Sequence, residues 1–255
     1  MSLEFGGSTL QFFRLAANIV HFSIRCQAIS SGIREIESNR KAQALVLTSS
    51  TPVFCAGLDL TELHQPRRLV EFWTAFQQLF LDLYGSRLAT IAGVSGPAPA
   101  AGCMLAMACD YRIMKSSRSA VIGLNEAQFG IIAPPWMAEL MVHTVGHRRA
   151  EQALMLGTLY SAEGALGIGL VDEIVEDDIL ETCQKEAVRW TKIPPHSRVA
   201  SKQLLRQPML EKLAAKRQED LDLFCDVCLS DKVQTNLGLY LESLKKKQEA
   251  KSKKE

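Results

Sequence analysis

Two short stretches far apart in the chain carry the residue types needed to aim two backbone N–H groups at one carbonyl oxygen. They are Phe54-Cys55-Ala56-Gly57-Leu58-Asp59-Leu60 and Pro99-Ala100-Ala101-Gly102-Cys103. The first follows the apolar run Ala44-Leu45-Val46-Leu47-Thr48, so Gly57 falls where a buried strand gives way to a turn. The second opens an apolar helical stretch, and the unpaired amides and positive dipole end of a helix start suit a developing negative charge. An enzyme that stabilises an enolate needs such a pair, and losing one donor typically raises the barrier by about 2.7–4 kcal/mol. Small residues here could instead serve only to let a helix pack closely on a sheet. Two stretches of this kind in one chain favour the chemical reading.

Strands and helices alternate around both stretches. After Gly57, Leu69, Phe72, Trp73, Phe76, Leu79, Phe80 and Leu83 recur at helical spacing and predict an amphipathic helix with a core face. Thr90 to Ser95 and Tyr111 to Met114 read as strands, Val121-Ile122 as a short edge. Helices are expected from Trp136 to Val145, Arg149 to Leu156 and Ser161 to Leu166, each bounded by glycine, with Ser161 as an N-cap. Val171 to Val175 reads as the last strand, and beyond Ile193-Pro194-Pro195 the chain turns helical and charged. This alternation implies an α/β class with largely parallel strands.

Composition fits a single sizeable core. Of 255 residues 47% are hydrophobic and 22% charged. A net charge of +1 gives no pull toward nucleic acid or an anionic membrane. Seven cysteines in apolar segments suggest reduced thiols, and Cys225-Asp226-Val227-Cys228, lacking a second pair, reads as helix cysteines and not as a metal site. Ile91 to Cys109 has the length of a membrane span, but Gly93, Gly96, Pro97, Pro99 and Gly102 break it into strand end, loop and helix, so no transmembrane segment is expected. The five histidines show no ligand spacing.

The turn Cys55 to Glu62, the segment Ala98-Pro99-Ala100-Ala101-Gly102-Cys103 and the run Cys109-Asp110-Tyr111-Arg112-Ile113 together resemble the crotonase (enoyl-CoA hydratase/isomerase) superfamily. Ile122-Gly123-Leu124-Asn125-Glu126 and Gly130-Ile131-Ile132-Ala133-Pro134 are similar to one branch of it, the mitochondrial 3,2-trans-enoyl-CoA isomerases, and the likeness covers about residues 33–245. The resemblance implies a spiral of ββα turns with a C-terminal helical region that trimerises. It implies an acyl-CoA thioester as substrate, no separate cofactor since coenzyme A is part of that substrate, a homotrimer, and a place in the mitochondrial matrix.

By the same resemblance, the amides of Leu58 and Ala101 hold the thioester oxygen, while Ala56, Gly57, Asp59, Leu60, Gly102 and Asn125 line the acyl-CoA site. Alanine replaces the family's usual glycine at 101 but keeps its N–H, provided its φ is helical. Glu126 occupies the family's carboxylate position, flanked by apolar residues that would raise its proton affinity. Its bland alternative is an ordinary first-turn carboxylate behind an Asn125 N-cap. Hydratases of this family carry a second glutamate where this chain has Met104. One base suffices to move a double bond, taking a proton from C2 and returning it at C4, so the carboxylate count favours an isomerase over a hydratase. Asp59 is a possible second acid, although its family place in the binding turn favours a structural role.

The expected division is an atypical segment 1–32, a core 33–192 and a C-terminal helical region 193–255 ending in the basic tail Lys245-Lys246-Lys247 and Lys251 to Lys254. The early strands of the family look absent, which would leave an unpaired sheet edge and opens a third reading, a non-catalytic form altered at its N-terminus. Residues 9–34 hold three arginines, serines and no acid, consistent with a transit segment, a replacement helix or strand, or disorder. On this reading, removing residues 1–30 changes stability little.

Overall fold

The apolar run at 42–49 is a strand buried on both faces, with Leu45 and Leu47 turned into the main core and Ala44 and Val46 into a smaller one on the reverse side. In the computed structural model, residues 2–5, 8–15, 22–57, 63 and 65–252 are described, with side chains at 23–57, 63, 65–239, 241 and 242. Six strands form the main sheet in the order β1 (Ser2–Phe5), β2 (Ser8–Leu15), β3 (Ala42–Ser49), β4 (Ala89–Val94), β6 (Tyr111–Lys115) and β8 (Glu173–Val175). β1 is antiparallel to β2, and the other pairings are parallel. A separate parallel ladder joins β5 (Ala98–Pro99) to β7 (Ile122–Gly123).

Parallel neighbours need crossovers, and helices supply them. α1 (Phe22–Ser38) connects β2 to β3, and α2 (Pro66–Tyr84) connects β3 to β4. The α2 face expected from the sequence, Leu69 through Leu83 at helical spacing, is buried in the main core. α3 (Ala101–Ala108) is buried on every side. α4 (Pro135–Val145), α5 (His147–Leu156) and α6 (Ala162–Ile168) follow, and Ser161 does cap α6, accepting from the Gly164 N–H at 3.2 Å.

α7 (Ile179–Thr191), like α1, has no counterpart among the helices expected from the sequence. It lays Cys183 and Ala187 against Ala44, Val46, Ala89, Ile91 and Ile113, covering the reverse face of the sheet. α8 (Pro195–Ala215), α9 (Arg217–Cys228) and α10 (Asp231–Ser252) complete the chain, and Met209, Leu213, Phe224, Cys228 and Leu237 join the same core as α2. Cys225 and Cys228 lie one turn apart on α9, no disulfide forms among the described residues, and none of their helices is long and apolar enough to cross a membrane.

A buried ion cluster ties α8 to the sheet. Lys202 and Arg206 reach Asp110 at 2.9 and 2.8 Å, and Asp110 also accepts from the Thr90 N–H. Burial pushes the Asp110 carboxyl up, but the two cations and the Thr90 N–H outweigh it and hold the group below the usual carboxylate range. Arg112 and Asp172 pair similarly at 2.7 Å and join β6 to the start of β8. Asp110 and Arg112, in the run that carries part of the family resemblance, therefore serve structural pairs.

The N-terminal region departs from expectation. Strands are present there: β2 pairs with β3 from Thr9 to Leu15, and β1 forms the outer edge. No edge of β3 is left open. The proposed boundary after residue 32 falls inside α1, whose Cys26, Ile29 and Ile33 are buried. Their spacing of three and four residues places them on one helical face. Deleting residues 1–30 removes two strands and half of α1, so the melting temperature followed by circular dichroism should fall by more than about 8 °C. A smaller fall would restore the view that this segment lacks native partners.

Candidate active site

The two turns singled out in the sequence meet in space because glycine stands at the points of closest approach, Gly57 in the first and Gly102 in the second. Phe54 and Cys55 both donate their N–H to the Pro97 carbonyl at 3.2 Å, which pins the first turn alongside the second. Gly57, at φ 87°, lies where an added methyl group would sit 3.3 Å from the Pro99 carbonyl and 3.4 Å from the Ala100 Cβ. A methyl group at Gly102 would stand 2.5 Å from the Cys55 carbonyl. Gly57 is thus set against the entry to α3, while Leu58, Asp59 and Leu60 lie outside the described residues. Ala56 is exposed.

Ala101 is the first residue of α3 and does not have positive φ, as the oxyanion reading required of an alanine there. Its N–H belongs to the first turn, whose amides have no carbonyl partner within the helix. The strain sits one residue earlier. Ala100 takes φ 50° and ψ −112° and is the non-glycine residue with positive φ among those described. Its N–H bonds the Gly123 carbonyl at 2.8 Å and its own carbonyl accepts the first helical bond, from Met104. The chain must turn from β5 directly into α3, and Ala100 absorbs the bend.

Glu126 opens a single 3₁₀ turn, Glu126–Phe129, that ends at Gly130 in the left-handed conformation. Asn125 occupies the N-cap position, but its side chain does not cap; it is buried, and its Oδ1 has no partner. Glu126 and Ala101 line the same small cavity, walled by Trp73, Phe76, Ile131 and Phe224. Glu126 Oε2 is buried there without a hydrogen-bond partner. Burial pushes this carboxyl up to about 7, with its own backbone N–H opposing the shift. A base with that proton affinity suits proton transfer near neutral pH. Among the described residues that line the cavity, Glu126 is the sole carboxylate.

Two thiols flank the site and stay protonated. Burial drives Cys103 far up, and the charge of Glu126 adds to the effect; burial likewise raises Cys55. Neither is poised as a nucleophile. No cluster of His, Cys, Asp or Glu among the described residues could hold a metal ion. The aromatic wall was legible in the sequence only as the core face of α2, because helical spacing does not distinguish packing from pocket. Phe224, from a helix in which polar and apolar residues are equally many, gave no such signal.

A family model described as enoyl-CoA hydratase/isomerase matches residues 26–251. The chain is 38% identical over 248 residues to the rat protein named enoyl-CoA delta isomerase 1, mitochondrial, covering 96% of this chain and 86% of the rat protein. It is 40% identical over 219 residues to the mouse protein of the same name, covering 84% and 76%. The crystal structure of human mitochondrial delta3-delta2-enoyl-CoA isomerase superposes with a TM-score of 0.89 at 34% identity, covering 94% of this chain and 95% of that one.

Two adjacent alanines should answer oppositely to glycine. Ala100→Gly relieves the positive φ and should raise stability by about 1 kcal/mol, whereas Ala101→Gly loosens a helix start and should lower it by about 0.5–1 kcal/mol, both read by chemical denaturation. Turnover of Ala101→Gly should stay within about tenfold of the parent, since the N–H remains. Glu126 makes a pH-dependent prediction. Its folded-state value near 7 lies above the ordinary 4.5, so the folded protein holds an extra proton between those values and loses stability as pH rises through them. Glu126→Gln has no charge to bury and should melt higher than the parent at pH 8, with the difference closing by pH 5.

Proposed function

Because the chain belongs to the enoyl-CoA hydratase/isomerase family, we infer that it is an enoyl-CoA delta isomerase, shifting the double bond of a 3-enoyl-CoA to the trans-2 position in fatty-acid β-oxidation. The carrying observation is the lone carboxylate of Glu126 in a cavity it shares with the first amide of α3. Met104, at the position where hydratases of the family have their second glutamate, is fully buried in the core and does not line that cavity.

The reaction then needs three events from this chain. Amides at Leu58 and Ala101 polarise the thioester carbonyl and acidify the protons at C2. Glu126 removes one of them, leaving a dienolate whose negative charge rests on the oxygen between the two amides. Carrying that proton in a pocket walled by apolar side chains, Glu126 returns it at C4, and the double bond is left between C2 and C3. Nothing is added or lost overall, so no cofactor is called for, and coenzyme A enters as part of the substrate. The contacts of Gly57 with Pro99 and Ala100 support the convergence of the two amides. Ala56, Asp59, Leu60, Gly102 and Asn125 complete the proposed acyl-CoA site.

The relatives' names support a mitochondrial location, which we extend to the matrix, and the family resemblance supports a homotrimer. The third reading, a non-catalytic form, rested on an open sheet edge that β2 fills. A coupled assay comparing 3-hexenoyl-CoA with crotonyl-CoA tests the assignment. The parent should isomerise the first and hydrate the second poorly, and Glu126→Gln should lose about 10²–10⁴ in turnover with little change in acyl-CoA affinity. Met104→Glu would place an unpaired carboxylate in the core, outside the Glu126 cavity, and should lower stability without raising hydration. Hydratase turnover equal to isomerase turnover in the parent would overturn the carboxylate count.

A further inference from the structure

Asp220, on α9, takes no part in this chemistry, yet three side chains converge on one of its oxygens. Trp73 Nε1 donates to Oδ2 at 2.8 Å, Gln77 Nε2 at 2.7 Å and Trp136 Nε1 at 3.3 Å. Two of these donors come from α2 and one from α4, and the carboxylate is only 8% exposed. One turn further along α9, Phe224 lies flat on Trp73, with ring centroids 3.5 Å apart and planes 10° from parallel. Trp73 and Phe224, with Phe76, form the aromatic wall of the Glu126 cavity.

Beyond that wall lies a second space. A cleft of about 260 Å³ opens between α4, α8 and α9, lined by Trp136, Met209, Leu213 and Leu223, with Asp220 on its border. A small recess between the two shares Pro134 and Phe224 with the Glu126 cavity, and Asp220 and Leu223 with the cleft. Phe224 and Asp220 therefore stand where the two spaces would join. The Trp73 indole cannot swing aside without leaving its buried N–H unpaired, so its hydrogen bond to Asp220 holds the stack shut.

We propose that Asp220 is a positioning residue that fixes the Trp73–Phe224 stack as the closed end of the acyl cavity, and thereby limits the acyl chain length that the enzyme accepts. The inference rests on the isomerase reading given above. Without the carboxylate the two indoles lose their common anchor, the stack loosens, and the tail of a longer acyl chain reaches the cleft behind it.

Two ratios test this. One is kcat/KM for 3-dodecenoyl-CoA over 3-hexenoyl-CoA; the other is the calorimetric affinity for dodecanoyl-CoA over hexanoyl-CoA, which needs no turnover. In Asp220→Leu both ratios should rise on the order of tenfold over the parent, the scale on which hydrophobic pockets discriminate by size. Phe224→Ala, which removes the barrier itself, should raise them in the same direction, and Asp220→Asn, which keeps an acceptor oxygen, should stay near the parent. The acid limb of the pH–rate profile, set by Glu126, should not move. Equal losses on both chain lengths, or unchanged ratios in Asp220→Leu and Phe224→Ala, would overturn the role of Asp220. If Asp220→Leu does not fold, Trp73→Phe, which keeps a ring on Phe224 but removes the N–H that Asp220 holds, should raise both ratios, and unchanged ratios there would overturn the role of Asp220. A parent that turns over neither 3-enoyl-CoA defeats the isomerase reading instead, and the binding ratio still decides the role of Asp220.

Discussion

Main chain lies directly on main chain at the centre of this molecule, and the rest of the site depends on that contact. A methyl group at Gly102 would overlap the Cys55 carbonyl, one at Gly96 would come within 1.8 Å of the Pro52 carbonyl, and one at Gly123 within 2.1 Å of the Thr158 carbonyl. These overlaps are with backbone, which cannot step aside as a flexible side chain does. Glycine at 96 and 102 lets the turn after β3 close on the segment that leads into α3, and Gly123 lets β7, just before Glu126, lie against the chain at Thr158. The left-over strain is concentrated at Ala100, where a non-glycine residue is held in a conformation that costs about 1–3 kcal/mol.

The same close packing sets the electrostatics. With apolar side chains on its walls, the cavity penalises the ionised form of Glu126, and that penalty is also the source of its basicity. A carboxylate free in water would be about as comfortable charged as the site needs it to be reluctant. Stability is therefore given up above neutral pH for proton affinity, a trade common at sites that do acid–base work. The flanking thiols of Cys55 and Cys103 experience the same burial and are kept neutral, so the site has one group that exchanges protons and neighbours that do not compete.

Long periodic segments were legible in the sequence. β3, α2 and β4 announced themselves through runs and spacings that only one element type satisfies, and Ser161 marked the start of α6. α1 and α7 did not, because each buries only a few residues, Cys26, Ile29 and Ile33 in one and Cys183 and Ala187 in the other, within an otherwise polar or serine-rich stretch. In α1 that composition mimicked a transit segment. The chemistry at Glu126 and the helical start at Ala101 could be read from motifs. The strain at Ala100 could not, since φ follows from how β5 meets α3 and not from residue type. Asp220 was invisible for another reason: an acid in a helix as polar as it is apolar reads as surface, and its donors Trp73 and Gln77 lie 147 and 143 residues away.

Those separations have a consequence for the order in which the protein can be built. Asp110 leaves the ribosome 92 residues ahead of Lys202, and the indole of Trp73 precedes Asp220 by 147. At ordinary rates of synthesis, about 5–20 residues per second, the Asp110 carboxylate waits roughly 5–20 s for the first of its cations. During that time its burial is opposed by an unpaired charge, so the sheet cannot settle around it. Early translation products therefore hold an apolar core that α8 and α9 have yet to close. The last quarter of the chain, from α8 on, acts as the latch of a fold whose first three quarters are synthesised before it, and the nascent protein has most need of chaperone protection in the interval before that latch arrives.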